Sequence, residues 1–220
     1  MKRSVKEVLI RLAILLGGLI IAHLGVTLFI LSDLGSDPFN VLIQGLFRTL
    51  DKAFDFSLLT HGNVHICVCC LIIVILLFTN KSYIKLGTLL CMICGGPIID
   101  LFTFLLTPIF VALSQLYFKF VTLAAGCVIL AFGMTLVIRS DAGTGPNDLV
   151  AVVIADKLKK KFGIIRVIVD LVFTGIGLLL GGKAGVGTVV AAFLVGPVAD
   201  FFLPVSGRIV GRVLKKTPKA

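Results

Sequence analysis

Residues 25–38 read GVTLFILSDLGSDP, and 108 positions later residues 133–146 read GMTLVIRSDAGTGP. Eight of the fourteen letters agree, and they include Asp33/Asp141, Gly35/Gly143 and Pro38/Pro146, so the match is more than shared greasiness. In each copy an apolar run ends on an aspartate, a glycine permits a backbone turn, and a proline suits the first position of a new helix. Ser36 or Asp37 in the first corner, and Thr144 or Gly145 in the second, are placed to cap that helix.

The surroundings of the corners set the class. Of 220 residues, 58 % are hydrophobic and 15 % charged, far from the balance of a water-soluble domain. Apolar runs lie near 12–31, 64–79, 86–106, 121–138, 164–181 and 187–205. Each approaches or exceeds the roughly 20 residues that a helix rising about 1.5 Å per residue needs to cross about 30 Å of hydrocarbon. The expected fold is all-α, a polytopic membrane helix bundle with six transmembrane helices. The first run follows the basic start MKRSVKEVLIR, but it exceeds the roughly 7–15 residues of a signal core and ends in SDLGSDP without a small-residue cleavage site. It is read as a retained span.

The formal net charge of +10 is distributed as topology rather than as a nucleic-acid footprint. Lys2, Arg3, Lys6 and Arg11 precede the first span, Lys81 and Lys85 separate the second and third, Lys157, Lys159, Lys160, Lys161 and Arg166 follow the fourth, and Lys215, Lys216 and Lys219 close the chain. The alternate connections hold only Arg48, Lys52, Lys119 and Lys183, the first two offset by Asp33, Asp37, Asp51 and Asp55. By the positive-inside rule both termini are expected in the cytoplasm, with the lipid bilayer as partner and no nucleic acid.

A second repeat joins the first. LGTLLCMICGGPIIDLF at 86–102 returns as VGTVVAAFLVGPVADFF at 186–202, sharing Gly87/Gly187, Thr88/Thr188, Gly96/Gly196, Pro97/Pro197, Asp100/Asp200 and Phe102/Phe202. The chain divides into repeats of 1–110 and 111–220, each with three spans. Three is odd, so the second copy enters the membrane from the opposite side and the halves form an inverted 3+3 repeat, an arrangement that in known membrane folds sets the functional site where the repeats meet. Duplication that merely doubles a stable bundle is the alternative. PFNVLIQGLFRTL and PNDLVAVVIADKL, near 38–50 and 146–158, are of equal length, about 15 residues each, too short at the helical rise to cross. Each is drawn as a re-entrant half-helix whose N-terminal amides are free to meet a ligand. Asn40, Gln44 and Arg48 share one face of the first, as a solvated stripe or as substrate contacts. Only Asp148 and Asp156 are polar on the comparable stripe of the second.

The double corner, with its G-x-G-P-x-D form at Gly143, Gly145, Pro146 and Asp148, and the later G-P-x-x-D element resemble the YczE/YyaS/YitT family of bacterial inner-membrane proteins. The likeness covers nearly the whole chain. It implies fold and location rather than an activity, and it implies a basic residue where Asn147 stands here.

Ionisable groups inside a bilayer cost several kcal/mol unless paired or hydrated, and they mark pathways, proton relays or structural pairs. Asp100 and Asp200, each three residues after a proline, are candidates for carrying a proton or cation, against a plain role as polar helix contacts. Asp33, Ser36, Asp37, Asn40, Asp141, Thr144 and Asp148 are the candidate substrate contacts at the corners. Arg166 and Asp170 sit one turn apart and suit an i,i+4 ion pair, read as structural and near the cytoplasmic surface.

The six cysteines all fall in apolar runs, and Cys91 and Cys94, a C-x-x-C pair, are read as small buried packing residues rather than ligands. His61 and His65 are read as interfacial rather than metal-binding, Asp55 being the nearest carboxylate, and His23 as a hydrogen-bonded packing residue. GLLLGGKA at 177–184 imitates a phosphate-binding loop but lacks its final Ser or Thr. No metal, cofactor or enzymatic step is expected. Glycines 17, 18, 25, 126 and 133 suit close helix contacts within a chain or in a homo-oligomer. The leading expectation is a small secondary transporter or permease for a small-molecule or ion substrate, with half-helix N-termini binding an anionic or zwitterionic group. The alternative is a membrane scaffold or sensor that moves no solute.

Overall fold

The computed structural model describes residues 4–54, 60–79, 81–112 and 115–215. The charges read at Lys2, Arg3, Asp55, Lys216 and Lys219 lie outside the described residues. Among those residues the chain is all helical, with helices α1 (Val5–Leu31), α2 (Pro38–Phe54), α3 (His61–Thr79), α4 (Leu86–Ala112), α5 (Leu116–Ser140), α6 (Pro146–Leu158), α7 (Phe162–Leu179) and α8 (Val186–Lys215). All but α2 and α6 are long and apolar enough to cross a membrane, which gives six candidate spans. The two exceptions are the helices that follow the corners.

The expected equality of the short helices does not hold: α2 has 17 residues and α6 has 13. The cause is local. Lys159 takes the left-handed conformation with φ 52°, and the amides of Lys159 and Lys160 turn back onto Asp156 and Ala155 carbonyls, which ends α6 at Leu158.

α1 and α5 are the central antiparallel pair. Gly18 lies against Gly133, and Gly25 against Gly126. A Cβ added to Gly25 would collide with the backbone of Leu130, and one added to Gly133 with that of Ala22. The small residues therefore let two long helices touch backbone to backbone, as packing in lipid favours. Four of the five glycines singled out in the sequence are used inside the chain, while Gly17 meets nothing.

The other helices pack around this pair. α4 lies on α1 and α8 on α5, while α7 is held between α2, α6 and α8. A buried hydroxyl contact, Thr135 to Ser206 at 2.8 Å, ties α5 to α8. The main core gathers Leu123, Ala131 and Met134 of α5, Ala151 of α6, Ile165 and Val169 of α7, and Val195 and Ala199 of α8. Only Phe29 represents the first half among its fully buried members.

Each corner is fastened by the opposite half. The Gly187 amide of α8 donates to the Leu34 carbonyl at 2.8 Å, and the Gly87 amide of α4 donates to the Ala142 carbonyl at 2.9 Å. The first amides of a helix have no partner within it, so the start of one helix and the exposed carbonyl of a corner satisfy each other. A threonine adds to both latches: the Thr188 hydroxyl donates to the Ser36 carbonyl, and Thr88 Oγ1 accepts from the Thr144 amide at 3.4 Å.

Candidate functional site

The two corners share their backbone. Asp33 and Asp141 are left-handed with φ 53° and 56°, and Gly35 and Gly143 follow with φ 141° and 143°. The glycine positions lie in a region that side-chain-bearing residues avoid. Both aspartates point to basic residues across the α1–α5 interface: Lys119 pairs with Asp33 at 3.1 Å, while Arg11 lies 3.7 Å from Asp141, which Lys85 also meets.

The first corner borders an open cavity of about 270 Å³ lined by Phe29, Ile30, Asp33, Gly35, Ser36, Asp37 and Asn40. All four first-corner residues proposed from sequence, Asp33, Ser36, Asp37 and Asn40, meet there. Asp37 settles the capping alternative: its Oδ1 accepts from the amides of Phe39 (3.1 Å) and Asn40 (3.2 Å), and its Oδ2 accepts from the Asn40 side chain. A carboxylate at this place also complements the helix dipole.

The second corner is built otherwise. Its N-cap is Gly145, with no side-chain hydrogen bond, so no carboxylate covers the first amides of α6. Thr144 is buried and serves through its backbone amide. A smaller cavity, about 170 Å³, is lined by Arg11, Lys85 and Asp141 rather than by Thr144 or Asp148.

Asp148, in the first turn of α6, instead belongs to a buried charge cluster. Arg166 Nε donates to Asp170 Oδ2 at 2.9 Å, as the i,i+4 spacing predicts, and Arg166 Nη1 donates to Asp148. Arg166 is 7 % exposed and Asp170 1 %, so the pair is enclosed by protein. Asp37 and Asp148 both lie within electrostatic reach of Asp170, and Asp37 also reaches His65. The N-termini of both short helices thus face α7.

Asp100 and Asp200, matched in sequence, are unlike in place. Asp200 Oδ1 accepts the Gly163 amide at 2.7 Å and so caps the start of α7. Asp100 is exposed on α4. Neither lines either cavity.

The polar stripe on α2 has a third use that periodicity left unread. Gln44 Oε1 accepts the Lys183 amide at 2.7 Å and Arg48 donates to the Gly181 carbonyl at 2.6 Å. Both hold the α7–α8 turn, the segment that imitates a phosphate-binding loop. His65 packs on Phe39 with ring centroids 5.3 Å apart, His61 sits near Phe47, and His23 Nδ1 lies 2.8 Å from the Leu19 carbonyl. Among the described residues no group of three or more His, Cys, Asp or Glu is arranged to hold a metal. Cys91 and Cys94 are free thiols, Cys91 buried; Cys67 and Cys70 face outward from α3. Outside the spans, the Tyr83 hydroxyl donates to Asp156 Oδ2 at 3.0 Å. Lost hydration, that bond and the carboxylate charge raise its pKa above the usual phenol value.

Sequence reasoning missed the Asp148–Arg166 contact, the crosswise threonines and the Gln44 and Arg48 contacts. The first carried a signal: unlike charges in the apolar faces of two helices joined by three residues have each other as the cheapest partner.

The chain is 31% identical over 198 residues to an uncharacterized protein of Haemophilus influenzae, covering 90% of this chain and 85% of that one. It is 27% identical over 216 residues to the uncharacterized membrane protein YczE of Bacillus subtilis, covering 98% and 95%. It is also 27% identical over 192 residues to the uncharacterized protein YyaS of the same organism, covering 87% and 91%. No solved structure matches the chain. A family model described as a family of unknown function, DUF6198, matches residues 9–204, and the chain, an integral membrane protein, belongs to that family with its YczE- and YyaS-like members.

Proposed function

We propose that the protein is a small secondary transporter of a bacterial inner membrane, with both termini cytoplasmic, whose halves form an inverted repeat around a central site. The observation that carries this reading is the first-corner cavity. Four polar residues of one short motif line a space the size of a small solute, beside the N-terminus of a helix that is not among the candidate spans. The crosswise latches support the repeat, because each half fastens the other by the same glycine-amide bond to a corner carbonyl. The second short helix supports re-entry: Asp148 stands ten residues before its end at Leu158, about 15 Å along a helix axis, or half the hydrocarbon thickness.

In this reading the cavity holds a zwitterionic or cationic solute through Asp33, Ser36, Asp37 and Asn40, and the corner at Asp141, Thr144 and Asp148 serves the opposite access state. Asp37 has both oxygens engaged by α2, so a cationic group at the cavity competes for a carboxylate already in place. Asp100 and Asp200 keep the proposed part of carrying a proton or cation; for Asp200 this requires release of the Gly163 amide. The chain performs no covalent chemistry in this account. Reconstituted vesicles containing a pH-sensitive dye test it against a panel of small amines and amino acids. A solute-linked proton movement, lost in Asp37→Asn, Asp100→Asn or Asp200→Asn, is the expected result. No solute-linked signal from any member of the panel favours the alternative.

That alternative is a scaffold or sensor that moves no solute. One observation favours it: the two cavities lie one at each corner, and neither is lined by Asp100 or Asp200.

A further inference from the structure

The charge cluster on α7 contains an imbalance that ion pairing leaves unresolved. Asp170 is 1 % exposed and only its Oδ2 meets Arg166. Among the described residues its Oδ1 has no hydrogen-bond partner, and neither has the buried Oγ1 of Thr174 one turn further along the same face of α7. An unpartnered buried carboxylate oxygen carries a full desolvation penalty, and here two buried oxygens, one turn apart on α7, lack a partner.

The surrounding charges deepen the imbalance. α7 packs against α2, α6 and α8. Within electrostatic reach of Asp170 are Asp37 from α2 and Asp148 from α6, while Arg166 on α7 itself provides the single positive charge among these groups. From α8 the acidic group is Asp200, bound to the Gly163 amide two turns away at the start of α7. His65 on α3 feels Asp37. One guanidinium thus serves two carboxylates, Asp148 and Asp170, with a third close by.

We propose that Asp170 Oδ1 and Thr174 Oγ1 form a binding site for one monovalent cation, a proton or a sodium ion, entering from the first-corner cavity past Asp37. Either cation answers both defects. A proton on Oδ1 supplies a donor for the threonine oxygen and removes the surplus negative charge. A sodium ion takes hard oxygen ligands and would use the same two atoms. Arg166 then neutralises Asp148 and orients Asp170 for the cation through the opposite carboxylate oxygen. Asp37, lining the cavity and in electrostatic reach of Asp170, links the solute space to the cation. Binding itself stands apart from the carrier reading, and only the role of coupling ion rests on it.

The test uses the full chain purified in detergent and reads melting temperature, with no flux involved. Sodium chloride is compared with choline chloride at equal ionic strength and pH 8, and in choline the pH is lowered to 5.5. For sodium about a hundredfold above its dissociation constant the wild type is expected to melt roughly 5–10 °C higher. If the cation is a proton, the rise appears instead as the pH falls, because the folded protein then binds the proton. Asp170→Asn, which keeps an acceptor for Arg166 and adds no charge, is expected to lose the response in either arm. Thr174→Val leaves the ion pair intact and is expected to move the sodium midpoint about tenfold or the pH midpoint about one unit, so it decides the matter should Asp170→Asn fail to fold. Wild type indifferent to both sodium and pH overturns the proposal, as does an unchanged response in both variants. Absence of solute flux with a preserved cation response leaves the site standing and removes only the carrier.

Discussion

At residues 33–37 and 141–145 the backbone follows one path, with matching φ at Asp33/Asp141 and Gly35/Gly143 and the same latch to the start of a helix from the other half. The charges on that path do not match. In the first corner Asp37 closes the N-terminus of α2 by itself, and His65 on α3 lies within its electrostatic reach. In the second the cap is Gly145, the acid has moved to Asp148, and Arg166 holds it against Asp170. A left-handed glycine and an orphan amide admit few substitutes, so the frame persists, whereas the position of a carboxylate changes whenever a compensating charge does. The helices around the corners differ too: 17 % of the apolar window of α3 and 11 % of that of α4 is buried inside the protein, against 39 % for α7 and α8. Within the first half α1 is as buried as α7 and α8, at 39 %, so the contrast lies in α3 and α4, which leave most of their apolar surface open to lipid.

The sharpest way to break this contrast is at its ionic element. Arg166→Met leaves Asp148 and Asp170 buried without a counter-charge and is expected to destabilise the protein by about 3–5 kcal/mol. His65→Leu, five residues into α3 as Arg166 is five residues into α7, should cost under about 1 kcal/mol, since His65 is only partly buried and meets Phe39 edge-on. Denaturant melts of the two variants in detergent measure the gap; equal losses would mean that the halves do not differ in this way. A second pair sharpens the shared frame. Gly25→Ala and Gly133→Ala each push a methyl group into the backbone of the opposite helix and are expected to cost about 1–3 kcal/mol apiece, with similar values because the two contacts mirror each other across α1 and α5. The smallest effects belong to the latches. Thr188→Val removes a donor to Ser36 and an acceptor for Gly185 (3.1 Å), whereas Thr88→Val removes one long bond to Thr144. About 1–2 kcal/mol and about 0.5 kcal/mol are expected, read as the difference in melting midpoint.

How the site reads from sequence depends on distance along the chain. Asp33, Ser36, Asp37 and Asn40 meet in one cavity because eight residues of a tight corner cannot separate them. Arg166 and Asp170 pair because four residues make one helical turn. Asp148 was legible as polar but not as their partner, since its contact crosses between helices. Asp100 and Asp200 occupy matched places in the repeat and still part company, one exposed and one capping α7, because α8 packs on α7 while α3 lies mainly against α2 and α6. The bare oxygens of Asp170 and Thr174 had no signal of their own. They are conspicuous only once burial has removed water from both.

The sequence by itself determined the class, the six spanning segments, the two short helices and the turns that begin them, all of which follow from apolar length, proline and glycine within a few residues. Only the tertiary structure decided that each corner is fastened by the opposite half, that α2 holds the α7–α8 turn, and that Arg166 serves two carboxylates. The physical reason is that backbone conformation and hydrophobic length are local quantities, whereas the partner of a buried charge or an unpaired amide is set by which helix lies against it, and in an almost uniformly apolar chain many packings would satisfy the same pattern.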